Sequence, residues 1–256
     1  MMIQGEKKRV AAIRYFIDAR VHACYSVSVR NSPVDFGALK EARIESSFRP
    51  EISHSEAGKE GKTMPRIPLL SPEGDLTLEQ RRAAKAILER RGEQRIPGPY
   101  RFFLHCPELA EILDPVGELL RLKSGFPLRL SELAILITAR TWDCDYVFQA
   151  HAPHALKGGL TQSVIDALAR GERPAFDRSD EEVFYDYCTE LFERHAVSDK
   201  SYARAFELFG IPGVVELTAL IGYFSMVAMT LLAHDMPLPA GVRPPLARPK
   251  KSSQSM

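Results

Sequence analysis

SELAILITARTWDCDYVFQAHAPH, Ser131 to His154, is the stretch on which the reading of this chain turns. Read as one helix of about 3.6 residues per turn, it places Leu133, Leu136, Ile137, Arg140, Cys144, Val147, Phe148, His151 and Ala155 on one stripe, the i, i+3, i+4, i+7 pattern of an inward face. The stripe is apolar apart from Arg140, Cys144 and His151, so the helix turns a cation, a thiol and an imidazole toward the interior. At a rise of about 1.5 Å per residue, Cys144 and His151 stand roughly 10 Å apart along the axis. They cannot bond each other, which leaves space for a small substrate or a neighbouring side chain between them.

The surrounding chain is ordinary in composition. Of 256 residues, 45% are hydrophobic and 26% charged, enough to bury a core, and a net charge of +1 provides no general attraction to nucleic acid or an anionic membrane. Cys24, Cys106, Cys144 and Cys188 are far apart and form no CxxC, so neither a disulfide framework nor a zinc knuckle is expected, and a reducing cytoplasm is. The first residues are basic but lack the apolar core of a secretory signal.

Residues 1–63 end in the polar run HSEAGKEGKT and read as a weakly structured extension, 64–245 as a single domain, and 246–256 as a polar tail. Within the domain, Thr77 and Gln80 make a capping box for a helix reaching Arg91. Pro107 opens a second helix, which Pro115 should kink or divide. Gly158 and Gly159 cap the central helix, Thr161 opens a short one ending at Gly171, and Ser179 with Glu182 forms another capping box for a helix to His195. A helix follows from Asp199 to Phe209. The last, PGVVELTALIGYFSMVAMTLLAHDMPLP, is long and apolar enough for a membrane span, but Glu216 and His234 punctuate it and its amphipathic neighbours need a buried partner, so it reads as the core helix. No segment alternates with period two. The expectation is an all-α bundle with short connections.

His151 is the side chain best suited to move a proton near neutral pH. Arg140 suits a substrate carboxylate, or else a buried ion pair with Glu216. Cys144 is a nucleophile only if a cation lowers its pKa, and Asp143 and Asp145 beside it work the other way. His151 and His154 have a spacing for metal, but Pro153 and the lack of a third ligand argue against it, and no cofactor or metal is expected. Trp142 and Tyr146 share another face and read as interface or core residues.

These residues carry a resemblance. The stretch SELAILITARTWDCDYVFQAHAPHALKGGLTQSVIDAL, with GPYRFFLHCPELAEIL before it and VVELTALIGYFSMVAMTLL after it, resembles the carboxymuconolactone decarboxylase family over about residues 97–240. The resemblance implies an all-α, alkylhydroperoxidase D-like helical bundle, usually assembled as trimers or hexamers. It also implies either lyase activity on a muconolactone in aromatic catabolism or thiol peroxidase activity through a CxxC. The lyases typically carry a Glu four residues before the His; here that position is Val147. Glu216 is then the candidate to supply the carboxylate from across the core.

The expected function is a cofactor-free lyase acting on a small carboxylated lactone or related acid, with Arg140 holding the carboxylate and His151 transferring the proton. A peroxidase using Cys144, and a non-catalytic oligomeric binding or scaffold protein, are the alternatives. The expected partners are a small carboxylated substrate and further copies of the chain, with no nucleic acid and no membrane. Light scattering on the eluting protein should therefore give a mass well above the 28.7 kDa of one chain; a 28.7 kDa species at micromolar concentration contradicts self-assembly.

Overall fold

The computed structural model describes residues 64–248, and among them every regular element is helical. The extension expected over 1–63 lies outside the described residues. Eight helices follow in order: α1 (Leu78–Arg91), the single turn α2 (Tyr100–Phe103), α3 (Pro107–Glu118), α4 (Leu128–Thr141), α5 (Asp145–Gly158), α6 (Gln162–Arg170), α7 (Ser179–Arg194) and α8 (Asp199–Ala233). A π-helical turn, Leu119–Lys123, extends α3.

The stretch read as one long helix is two. α4 stops at Thr141 and α5 starts at Asp145, with Asp143 between them in the left-handed region at φ 49°. Asp is one of the few residues besides Gly that visits this region readily. The Cys144 N–H donates to Ala139 O at 2.8 Å and the Asp143 N–H to Arg140 O at 3.1 Å, the bond pair of a Schellman stop that satisfies the last carbonyls of α4. The chain then doubles back. α5 returns beside α4 closely enough that a Cβ on Gly158 would lie 2.9 Å from the backbone N of Arg129.

α4 is the hub, packed against α5, α6, α7, α8 and the π turn. Every residue from Arg129 to Ala139 is buried, which makes α4 rather than α8 the core helix. Its one basic residue inside, Arg129, is neutralised at the start of α7 by Glu181 at 2.6 Å and Asp180 at 2.8 Å. A buried guanidinium needs such partners.

α8 bends where a helix before it and the apolar helix after it were expected to meet. Gly210 has φ 64° and ψ −175°, a backbone state closed to other residues, and Pro212 opens the second arm. This is the one described helix long and apolar enough to cross a membrane, and half of its apolar window is buried within the fold.

Other expectations sort by mechanism. Thr77 and Gln80 form the reciprocal capping box of α1. Pro115 sits inside α3 without dividing it; the ladder changes to the π turn immediately after it. Ser179 and Glu182 make no capping box: the N-cap is Arg178, so Ser179 is already the first helical residue, and Glu182 is engaged by Arg204 at 2.7 Å and by Arg173 at 3.3 Å. The polar tail does not start at 246: Leu246 is buried, and the Leu246 N–H and Arg248 both donate to Asp145.

The close approach at Gly158 yields a test. Gly158→Ala gains up to about 1 kcal/mol of helix propensity but forces apart two backbones, an overpacking cost of roughly 1–3 kcal/mol. Thermal melting should show a Tm lowered by a few degrees; an unchanged or raised Tm contradicts this packing of the hairpin.

Candidate active site

The hairpin brings together two groups that the long-helix reading kept apart. Glu132 on α4 and His151 on α5 are 19 residues apart in sequence, and their side chains meet at 2.7 Å, Glu132 Oε2 to His151 Nδ1. In one continuous helix they would be separated by about 28 Å. The second carboxylate oxygen, Oε1, accepts from Arg121 Nε at 2.7 Å, and Arg121 comes from the π turn. Glu132 has no solvent exposure. A buried carboxylate is tolerable only with both oxygens engaged, and here they are.

Protonation states follow from this arrangement. Burial opposes ionisation of Glu132, but the hydrogen bonds and charges of His151 and Arg121 outweigh it and hold the carboxyl below its usual range. His151 is held below the usual imidazole value by burial; Glu132 opposes that shift, while Arg121 and His154 add to it. At neutral pH the pair is therefore a carboxylate and a neutral imidazole. With Glu132 an obligate acceptor, Nδ1 carries the proton and donates it. Nε2 has no protein partner among the described residues, and 14% of the side chain is exposed, facing a cavity. The ring packs with Phe224 in a T-shaped arrangement, centroids 5.1 Å apart.

The cavity has a volume of about 360 Å³, within the range of small-ligand sites. Val147, Ala150, Phe224 and Val227 make its apolar wall; Tyr146, Tyr100 and Tyr223 add hydroxyls, and Arg90 and Arg91 bring cationic groups from the end of α1. The Tyr223 hydroxyl donates to Leu113 O at 3.2 Å and lies 3.0 Å from that of Tyr100. Burial pushes both phenols up, so neither is an anion in the working range.

The residues singled out in the sequence do not converge on this site. His151 lines it. Arg140 does not: it donates to Ala247 O at 2.8 Å, pairs with Asp143 at 3.4 Å, and lines a separate depression with Glu172 and Tyr185. Glu216 pairs with neither Arg140 nor His151; it accepts the Gly125 N–H at 3.0 Å. Cys144 is 1% exposed at the start of α5, and burial pushes its thiol up, with Asp145 adding to the shift against the Tyr146 and Val147 amides. Val147 does line the cavity, but the carboxylate at the histidine belongs to Glu132 on the other arm of the hairpin. Tyr146 belongs to the cavity wall, while Trp142 ends α4 and is 37% exposed. Among the described residues no His, Cys, Asp and Glu cluster can hold a metal ion.

Residues 107–178 match the sequence profile of the carboxymuconolactone decarboxylase family. The helical domain is similar to that family over this segment. Its fold is that of alkylhydroperoxidase D. One similar solved structure, an uncharacterized peroxidase-related protein from Ralstonia eutropha JMP134 described as an alkylhydroperoxidase AhpD core, superposes with a TM-score of 0.56 at 16% identity, covering 69% of this chain and 93% of that one. An uncharacterized peroxidase-related protein from Silicibacter sp. TM1040 superposes with a TM-score of 0.57, also at 16% identity, covering 71% and 96%. No curated protein matches the sequence. The matched family segment contains Arg121, Glu132, Cys144 and His151, whereas Arg90, Arg91, Tyr100 and Tyr223 lie outside it.

Thiol reactivity tests the placement of Cys144. In a Cys24→Ser background, Cys106, which is exposed, should react with a disulfide reagent at pH 7.5 well before the buried Cys144 and Cys188 do. A fast-reacting Cys144 in the folded protein contradicts its burial and reopens it as a nucleophile.

Proposed function

We propose that this protein, which matches the carboxymuconolactone decarboxylase family over residues 107–178, is a cofactor-free carboxy-lyase acting on a small carboxylated lactone or related acid, with His151 as the proton-transferring group and Glu132 as its positioning residue. The observation that carries the reading is the 2.7 Å Glu132–His151 bond at the wall of a cavity of about 360 Å³. A filled core around His151 would have favoured a non-catalytic scaffold. Two solved structures of this fold are named peroxidase-related. Against that chemistry here, the buried Cys144 has Val147 where a CxxC would place its second thiol.

In the proposed reaction the bond from the substrate's carbon to its carboxylate breaks, carbon dioxide leaves, and the electron pair passes into the conjugated lactone carbonyl. His151, having taken a proton from solvent on Nε2, gives it to the enolate carbon and returns to the neutral imidazole. Glu132 favours the transient imidazolium, and the apolar wall limits competing protonation by water. General acid assistance of this kind contributes roughly 10² to 10⁴ in rate.

Self-assembly belongs to the same proposal. Ile112, Leu119 and Leu122 on α3 and its π turn, and Ile211 and Val215 on α8, are each more than half exposed, an apolar surface that favours covering by further copies.

The pure protein should convert 4-carboxymuconolactone, followed by ultraviolet absorbance, and His151→Gln should lose about 10² to 10⁴ of the rate. The proton donor must be imidazolium, and the pKa of His151 lies below the usual 6.5 in the free protein. Hence kcat/KM should fall as pH rises through an inflection below 6.5, with the inflection in kcat higher because a bound carboxylate favours the cation. Glu132→Gln removes the group that raises the histidine and should move both inflections down. Turnover indifferent to His151→Gln, or hydroperoxide consumption dependent on Cys144, contradicts the lyase reading.

A further inference from the structure

The proposed substrate is an anion, and Arg140, the cation expected to hold it, lies outside the cavity. Another pair lies inside. Arg90 and Arg91 end α1, and both face the cavity that His151 lines. They share one counter-ion, Asp114, which is 1% exposed on α3. The two guanidinium cations share that one buried carboxylate, and Glu93, exposed on the cavity wall, makes no ion pair with either of them.

The two arginines are held unequally. Arg91 donates its Nε–H to Asp114 Oδ1 at 2.5 Å, and its guanidinium lies 4.8 Å over the Tyr100 ring, so it is fixed by charge and by stacking. Arg90 Nε lies 3.2 Å from Asp114 Oδ2, but that oxygen receives no aligned hydrogen bond. Arg90 makes no hydrogen bond among the described residues, and 46% of its side chain is exposed. A planar set of donors kept in place by charge, with its N–H groups unspent, is suited to a carboxylate, which takes two parallel bonds. A continuous aromatic wall runs from there to the histidine: Tyr100 reaches Tyr223 through their hydroxyls, Tyr223 packs on Phe224 at 5.4 Å, and Phe224 on His151 at 5.1 Å.

We infer that Arg90, steadied by the Arg91–Asp114 pair, is the anion-recognition subsite of this cavity and binds a substrate carboxylate while the rest of the molecule lies along the aromatic wall toward His151. The assignment rests on the lyase reading for the identity of the anion. The arginines stand outside the family-matched segment, so the subsite is a feature of this chain's own α1.

The test uses the full chain and two probes, cis,cis-muconate and its dimethyl ester, which keeps the shape and removes the charge. Calorimetry should show muconate binding weakened about tenfold or more in Arg90→Gln, the range expected for a lost charge-assisted hydrogen bond, and partly restored in Arg90→Lys. Any binding of the ester should not respond to position 90. Arg90 is the residue varied because removing Arg91 would strip a buried carboxylate of its hydrogen bond; an unchanged Tm confirms that Arg90→Gln folds. Equal affinity of wild type and Arg90→Gln for muconate, or no muconate binding by the folded wild type, overturns the subsite. Arg90-dependent binding without lactone turnover keeps the subsite and removes the lyase reading. Lactone turnover with an unchanged KM in Arg90→Gln keeps the lyase and removes the subsite.

Discussion

A carboxylate taken wholly out of water must be paired on both oxygens or it will take up a proton, and Glu132 is taken wholly out of water at the centre of this fold. Its partners come from two directions. The hairpin supplies His151, and the π turn after α3 supplies Arg121. Loss of the Asp143 stop would separate the first pair, and a regular α-helical ladder through Leu119–Lys123 would re-aim the second. The irregular backbone at these two places is thus coupled to the charge at the middle.

The same carboxylate shapes the chemistry. Burial alone would raise Glu132 and lower His151; together they share a proton position, with Nδ1 committed to Glu132 and Nε2 left to the cavity. Phe224 packs on the ring in a T-shaped contact. A histidine so constrained presents one nitrogen in one direction, which suits proton transfer to a bound carbon acid. Cys144, in the same hairpin, meets the opposite condition: it has the amides of a helix start beside it, yet burial outweighs them and keeps it a thiol.

The separation of the two cationic sites has an electrostatic reason. Arg140 is satisfied by a carbonyl and by Asp143, and holds the 246–248 segment to the domain. Arg90 and Arg91 face the cavity and share a single buried carboxylate, with the hydrogen-bonding groups of Arg90 unspent among the described residues. Unspent donors, rather than charge itself, distinguish a recognition site from a structural bridge.

The sequence by itself determined the class of the fold and the positions of most helices. The box at Thr77 and Gln80, the Gly-Ile-Pro break at Gly210 and the inward stripe of Ser131–His154 are local signals, set by capping, backbone permissiveness and periodicity. The stripe survived the error about the helix, because each short helix keeps the same period, and so His151 was legible. Glu132 was not, although it lies in the same stretch. Its place depends on whether the chain goes straight on or turns at Trp142–Asp143–Cys144, and the Asp that permits the turn reads as an ordinary helix residue in an apolar context. Arg121, Arg90, Arg91 and Tyr223 were invisible for a related reason: a polar side chain acquires its role from what burial sets opposite it, and only the tertiary structure decides which elements meet.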